Sequence, residues 1–378
     1  MKQHLKAPVL ALLLVLVLLL AALPVAAAET TTPTAVDETS AAATAETEAV
    51  DEEEDNRWRE GFSPLSGVPV DENNTNRRVF AYSIDNMIPA RWHAGLRSAE
   101  IIYEFKNELN TSRFVALFMT QPIPERIGPL RSARPFMVHR LIEYDAVFSR
   151  AGGSDDGNAA VENFGVENFD AIYLGLPIFW RYYDTGKPSP HNLYASLQAE
   201  MDNAEHYGIS LEPSKFKASL FNEEVLPLNG DPALTFEIQV SPGNVKRYEY
   251  DAEAKSYRRY EDGLLHIDEL DGKPLTPVNV IVQEALSTVY DDSGHRAMDQ
   301  IGEGKARYFS HGEVIDLTWE KEDERARTVF KTMDGEELVL NPGQMFIQVV
   351  DSLDDVTILD PVPTPTETTA APAETTAP

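Results

Sequence analysis

Three arginines, Arg113, Arg131 and Arg134, lie near prolines, a glycine and apolar residues in a chain that is otherwise strongly acidic; two of them share the stretch GPLRSARPF. A guanidinium is a rigid fork of donors that grips a carboxylate or phosphate at two points, which lysine cannot copy. These arginines can therefore hold an anion from outside. They can equally pair within the fold with Asp85, Glu108 or Glu143, since structural ion pairs also gather at strand ends. Gly152 and Gly153 permit close backbone approach, and the helix that follows Ser154 offers N–H groups to an anion. Asp155 and Asp156 already occupy its first turn and would repel one. His191, next to Asn192, can act as a general base near neutral pH when a carboxylate orients it, or can be a buried histidine bonded to backbone. The candidate ligand-binding set is thus Asp85, Asn86, Glu108, Arg113, Arg131, Arg134, Gly152, Gly153, Ser154, His191 and Asn192. Asp85, Glu104 and Glu108 are of the type glycoside hydrolysis needs, two carboxylates about 5–9 Å apart. No catalytic residue is assigned.

Other chemistries drop out by residue type. There is no cysteine, so thiol catalysis, disulfides and thiolate metal sites are excluded. Phosphate-cradling loops, the dinucleotide fingerprint, zinc-protease helices and nucleophile elbows are missing. His266 and Asp268 stand two apart, as half of a metal site would on a strand, but no second ligand pair has suitable spacing, so they read as a surface pair. No metal and no cofactor is expected. The aromatic run at 179–183 reads as the edge of a core rather than a sugar platform.

The elements that must position these residues alternate strand and helix in the first half. Residues 78–84, 113–119 and 146–150 read as strands, and 98–105 as strand or helix. Pro135 suits the first turn of a helix continuing through 136–144, Ser154 is a plausible N-cap, and a helix within 192–207 stops at Gly208. From 229 onward turn signals recur between strand-like runs at 234–240, 257–260, 278–282, 306–309, 313–319, 328–332 and 345–350. The expected fold class is α+β: a mixed α/β N-terminal unit over 58–215 and a mainly antiparallel β C-terminal unit over 234–350, flanked by disordered tails. The tails are an acidic, Thr-rich linker at 29–57 and a Thr/Pro segment at 361–378, both too poor in large apolar residues to bury a core.

The net charge is −30, which repels nucleic acid at long range, so no nucleic-acid partner is expected. Lys2 and Lys6 precede an apolar run over 7–28 that ends in Ala-Ala-Ala, the form of an export signal; the run is also long enough to remain as an anchor. Residues 1–28 are thus a signal peptide or an N-terminal anchor. The body is placed outside the cytoplasm, secreted or anchored at the cell surface. Membrane contact is expected only through an uncleaved N-terminal segment, and a lipid anchor is excluded by the lack of cysteine.

The ordered body resembles the YerB-like family of bacterial envelope lipoproteins of unassigned function. The resemblance lies in PLSGVPV, SRFVALF, IGPLRSARPF, EYDAVF, AGGS and PHNLY in the first part, and in NVIV, DGEEL and LNPGQ in the second. It implies a two-part architecture and an envelope location, but no reaction and no catalytic residue. Family members commonly carry a lipid-modified cysteine, which this chain lacks. The expectation is a non-catalytic binding module for an anionic envelope ligand, such as a cell-wall fragment. A hydrolase acting on glycan or peptide, or a scaffold for another envelope protein, is the alternative.

Overall fold

The computed structural model describes residues 57–71, 74 and 77–359. The expectations for 1–28, for 361–378 and for all but the last residue of 29–57 lie outside the described residues. None of the helices described is long and apolar enough to cross a membrane.

The fold is α+β. The main strands in chain order, short two- and three-residue pieces between them aside, are β1 (Phe80–Asp85), β2 (Ile101–Lys106), β3 (Ser112–Phe118), β4 (Val147–Arg150), β5 (Asn168–Asp170), β6 (Phe179–Arg181), β7 (Leu193–Ala195), β8 (Thr235–Ser241), β9 (Asn244–Asp251), β10 (Ser256–Glu261), β11 (Asn279–Glu284), β12 (Gly302–Ser310), β13 (Glu313–Lys321), β14 (Val329–Thr332), β15 (Met345–Val350) and β16 (Val356–Ile358). The helices are α1 (Pro135–Leu141), α2 (Asp155–Asn163) and α3 (Leu197–Asn203). Residues 98–105, ambiguous in sequence, hold all of β2 but its last residue.

One large mixed sheet runs in the order β14-β13-β12-β11-β15-β2-β3-β1-β4-β5. β2 and β11 flank β15, both parallel to it, so strands from the first and last thirds of the chain share one sheet. Central strands buried on both faces read as continuous apolar runs. β3 puts Val115 and Leu117 into the core under α1 and α2, and Phe114, Ala116 and Phe118 into the opposite core with Phe179, Ala195 and Leu197. A smaller antiparallel sheet, in which β8 is paired with both β9 and β16, packs Phe236, Ile238, Tyr248 and Tyr257 against Val280, Val282 and Phe309 of the large one. Phe236 stacks on Phe309 with ring centroids 3.8 Å apart.

This topology aims one edge of the sheet. β1, β4 and β5 are mutually parallel, and β2, β15 and β11 likewise. β3 runs antiparallel between β1 and β2, pairing Asp85 with Arg113 and Lys106 with Ser112. The carboxyl ends of six strands and the start of β3 therefore lie together, where ligand crevices form in α/β sheets.

Candidate functional site

The stretch GPLRSARPF is wedged between two strands. β1 and β4 pair only from Phe80 to Tyr82. Beyond that they part, and the loop takes over the ladder: Arg131 N donates to Ser83 O (2.9 Å), and Arg131 O accepts from Ala151 N (3.0 Å). Asp85 N donates to Pro129 O (2.9 Å) and Ala133 N to Gly152 O (2.8 Å). The backbone of the loop is thus satisfied by both strand ends, which fixes where its arginines emerge.

Arg131 and Arg134 each meet a carboxylate of their own fold. Arg131 Nε lies 3.1 Å from Asp85 Oδ2, a charge contact without hydrogen-bond alignment. Among the described residues its side-chain hydrogen-bond partner is the Met87 sulfur at 3.9 Å, and a quarter of the side chain is exposed. Asp85 is buried; it also accepts from His191 Nδ1 (2.7 Å) and from Met87 N (3.1 Å). Arg134 is hydrogen-bonded to Glu108 and donates to Ala133 O (2.8 Å). Arg113 stands between the two pairs, with Nη2 3.8 Å from Glu108 and Nη1 donating to Ser132 O (2.8 Å), while its buried Nε has no partner. Burial and the neighbouring Arg134 push Arg113 down to about 10. Burial alone would raise Glu108, but the Arg134 hydrogen bond and the charges of Arg113 and Arg134 outweigh it and hold the carboxyl below its ordinary value. The hairpin of Ser287–Val289 and Arg296–Met298 overhangs this corner, bringing His295 Nε2 within 3.9 Å of Glu108.

Asp85, Glu108, Arg113, Arg131, Arg134 and His191 therefore form one corner, with three guanidinium groups against two carboxylates. Glu143 is elsewhere, paired with Arg140 and Lys321. Gly152 and Gly153 lie beside the corner in an open groove of about 700 Å³ with Arg150, Asn158 and Tyr173, and Ser154 follows them at the start of α2 without lining it. The N–H of Gly152 is taken by Asp170 Oδ1 (2.8 Å), and Ser154 Oγ accepts from Gly157 N (3.1 Å), so the cap at the start of α2 is filled internally. Asn192 is buried and accepts from Arg181 (3.1 Å). A second groove of the same volume, beside Arg307, Asp316 and Met333, holds none of the candidate residues.

Asn86 turns inward, to a buried cluster that sequence reading missed. Its Nδ2 lies 2.8 Å from Ser112 Oγ, 3.0 Å from Glu261 and 3.3 Å from Glu104. Glu104 accepts from Arg259 Nη2 (2.6 Å) and pairs with Lys246 (3.2 Å); Glu261 pairs with Arg259 (2.6 Å), Arg91 (2.9 Å) and Lys246. Glu104 is therefore tied up as an internal counter-ion and unavailable to a glycoside. Burial would raise its carboxyl, but Lys246 and Arg259 overcome that and hold it down at about 2. A signal existed: Lys246 is in phase with Tyr248, and Arg259 and Glu261 with Tyr257, so three charges fall on core-facing positions.

His266 and Asp268, expected at the surface, are both buried. The turn after β10 folds under the first part of the chain, where Asp268 accepts from Gly95 N (3.1 Å) and Arg97 N (2.9 Å). Asp85 O accepts from His93 Nε2 (2.9 Å). A carbonyl only accepts, so a neutral His93 uses Nδ1 to accept from His266 Nε2 (3.0 Å), and His266 Nδ1 in turn accepts from Arg259. Burial holds both imidazoles far below their usual range, with Lys187 adding to the effect at His93 and Arg259 at His266. Among the described residues no cluster could hold a metal ion.

Comparison with known proteins agrees with this architecture. Residues 65–210 match "Protein of unknown function (DUF3048) N-terminal domain", and residues 236–347 match the corresponding C-terminal domain. The chain is 31% identical over 301 residues to "Putative lipoprotein YerB" of Bacillus subtilis, covering 78% of this chain and 88% of that protein. The crystal structure of the YerB protein from Bacillus subtilis superposes with a TM-score of 0.71 at 30% identity, covering 78% of this chain and 98% of that one. The chain belongs to the DUF3048 family.

Proposed function

We propose that this family member is an extracytoplasmic binding module of the cell envelope, holding an anionic group of a cell-wall fragment at the Arg131 corner. The apolar segment at 7–28 and the lipoprotein description of its relative support the location. The observation that carries the binding reading is Arg131. A guanidinium has five N–H donors, and among the described residues these meet one misaligned carboxylate and one sulfur, beside the guanidinium groups of Arg113 and Arg134. An external carboxylate or phosphate would complete it.

The test is thermal unfolding of the full chain with and without inorganic phosphate and N-acetylmuramyl dipeptide. Arg131→Ala takes a charge from beside buried Asp85, which keeps its bonds from His191 and Met87 N, so each protein's ligand-free midpoint is the baseline for its own response. A bound anion at about 100 times its dissociation constant adds roughly 2.7 kcal/mol to the wild type, and Arg131→Ala should lose that response. If the wild type does not respond, or the variant responds equally, the reading falls.

One contact favours a second reading. Asp85 orients His191 through Nδ1, and Nε2 has no hydrogen-bond partner among the described residues, the arrangement a general base requires. A hydrolase would release soluble fragments from cell-wall material, and His191→Gln would stop it. Wild-type chain that releases none overturns this alternative.

A further inference from the structure

We infer that the groove over Gly152 and Gly153 is a saccharide subsite, and that the anion held by Arg131 is an acidic substituent of that saccharide. This deepens the binding reading and rests on it. The groove of about 700 Å³ falls within the ~300–1,000 Å³ usual for small-molecule sites. It begins at Ser132, the neighbour of Arg131, and runs between α2 and the segment that follows β5.

Its lining points to the ligand class by elimination. The one cation in it, Arg150, is spent internally: it lies 3.1 Å from Asp170 Oδ2, 3.2 Å from Asn168 Oδ1 and 2.5 Å from Asn158 Oδ1. The other oxygen of Asp170 is taken by the N–H groups of Gly152 (2.8 Å) and Ile172 (3.0 Å). The groove therefore offers no free positive charge, and Glu162 on its wall disfavours a polyanion. An apolar ligand would strip water from Glu162 and Ser132 and leave them unpaired, which is costly. The remaining fit is a neutral ring rich in hydroxyl and amide groups.

Tyr173 supplies the second half of the argument. It lines the groove and is 84% exposed, a large ring open to solvent at the groove wall. A sugar presents C–H groups to the face of such a ring while its hydroxyls reach the polar wall opposite. The floor is kept low by glycine. Gly152 has φ +65°, and a Cβ there would stand 3.1 Å from Ile172 Cγ1 on the groove wall.

The experiment is isothermal titration of the full chain with N-acetylmuramyl dipeptide (an amino sugar carrying an acidic peptide), tetra-N-acetylchitotetraose (a neutral saccharide) and inorganic phosphate. It is repeated with Tyr173→Ala and Arg131→Ala. Tyr173 is exposed, so its replacement leaves the fold intact, which an unchanged unfolding midpoint verifies. The dipeptide should bind more tightly than either other probe. Tyr173→Ala should weaken both saccharides about tenfold and leave phosphate unchanged, and Arg131→Ala should weaken the dipeptide and phosphate alone. If phosphate binds through Arg131 but Tyr173→Ala changes nothing, the groove inference is overturned and the anion site stands. If the saccharides depend on Tyr173 while phosphate fails to bind, the anion reading is overturned and the link to Arg131 with it. If no probe binds, both are overturned.

Discussion

Glu104→Gln tests the buried cluster most directly. The substitution keeps shape and removes one negative charge from a site that has lost its water. In the wild type, Glu104 and Glu261 face Lys246, Arg259 and Arg91, and all but Arg91 are fully buried. Without the Glu104 charge, Arg91 keeps Asp262 (2.6 Å), while Arg259 and Lys246, the latter already lowered to about 7 by burial, are left with Glu261. Removing one partner of a buried ion pair costs about 3–5 kcal/mol, because the other charge stays buried and uncompensated. The acid limb gives an independent figure. The carboxyl is held at about 2 against an ordinary 4.5, and at about 1.4 kcal/mol per unit this is worth roughly 3 kcal/mol. Because the folded-state pKa is the lower one, this stabilisation is complete above about pH 4.5 and is lost as pH falls towards 2. Equilibrium urea unfolding of the full chain, run from pH 7 down to pH 2.5, reads both quantities. The variant should be less stable by about 3–5 kcal/mol at pH 7, and the gap should close towards pH 2.5. A loss under about 1 kcal/mol at pH 7, or a gap that does not close in acid, would refute the view that Glu104 is the working counter-ion.

Two further outcomes follow from local geometry. Ser154→Ala removes the hydroxyl that accepts from Gly157 N and should cost about 1 kcal/mol, measured by urea midpoint at constant slope; an unchanged midpoint would mean water replaces the cap. Glu200 is fully buried between Tyr82 and Ser149, and burial pushes its carboxyl up to about 8 despite both hydrogen bonds. Its folded-state pKa is the higher one, so wild-type stability should decline as pH rises from about 4.5 through 8. Glu200→Gln should flatten that decline, and a parallel curve for the variant would show that Glu200 is ionised in the fold.

The sequence by itself determined the local pieces. Apolar runs of the right length became β1, β3, β4 and β15, Pro135 opened α1, and Ser154 capped α2, because these depend on dihedral preference, periodicity and the nearest backbone donors. Several of the polar residues were legible for the same reason: Asp85 and Arg113 stand at strand ends, and Asn86, Glu108 and His191 lie one or two positions from one. What only the tertiary structure decided was which of them meet. Parallel pairing of β1 with β4 and insertion of GPLRSARPF between their ends bring Arg131 to Asp85, while a hairpin from the far end of the chain brings His295 near Glu108. Asn86 could not be assigned from its position. It follows Asp85 directly, yet points the other way, into charges supplied by β9 and β10 more than a hundred and fifty residues later. Long-range pairing leaves almost no trace in local preference, since a buried Lys246 and an exposed one are the same residue until Glu104 and Glu261 are placed beside it.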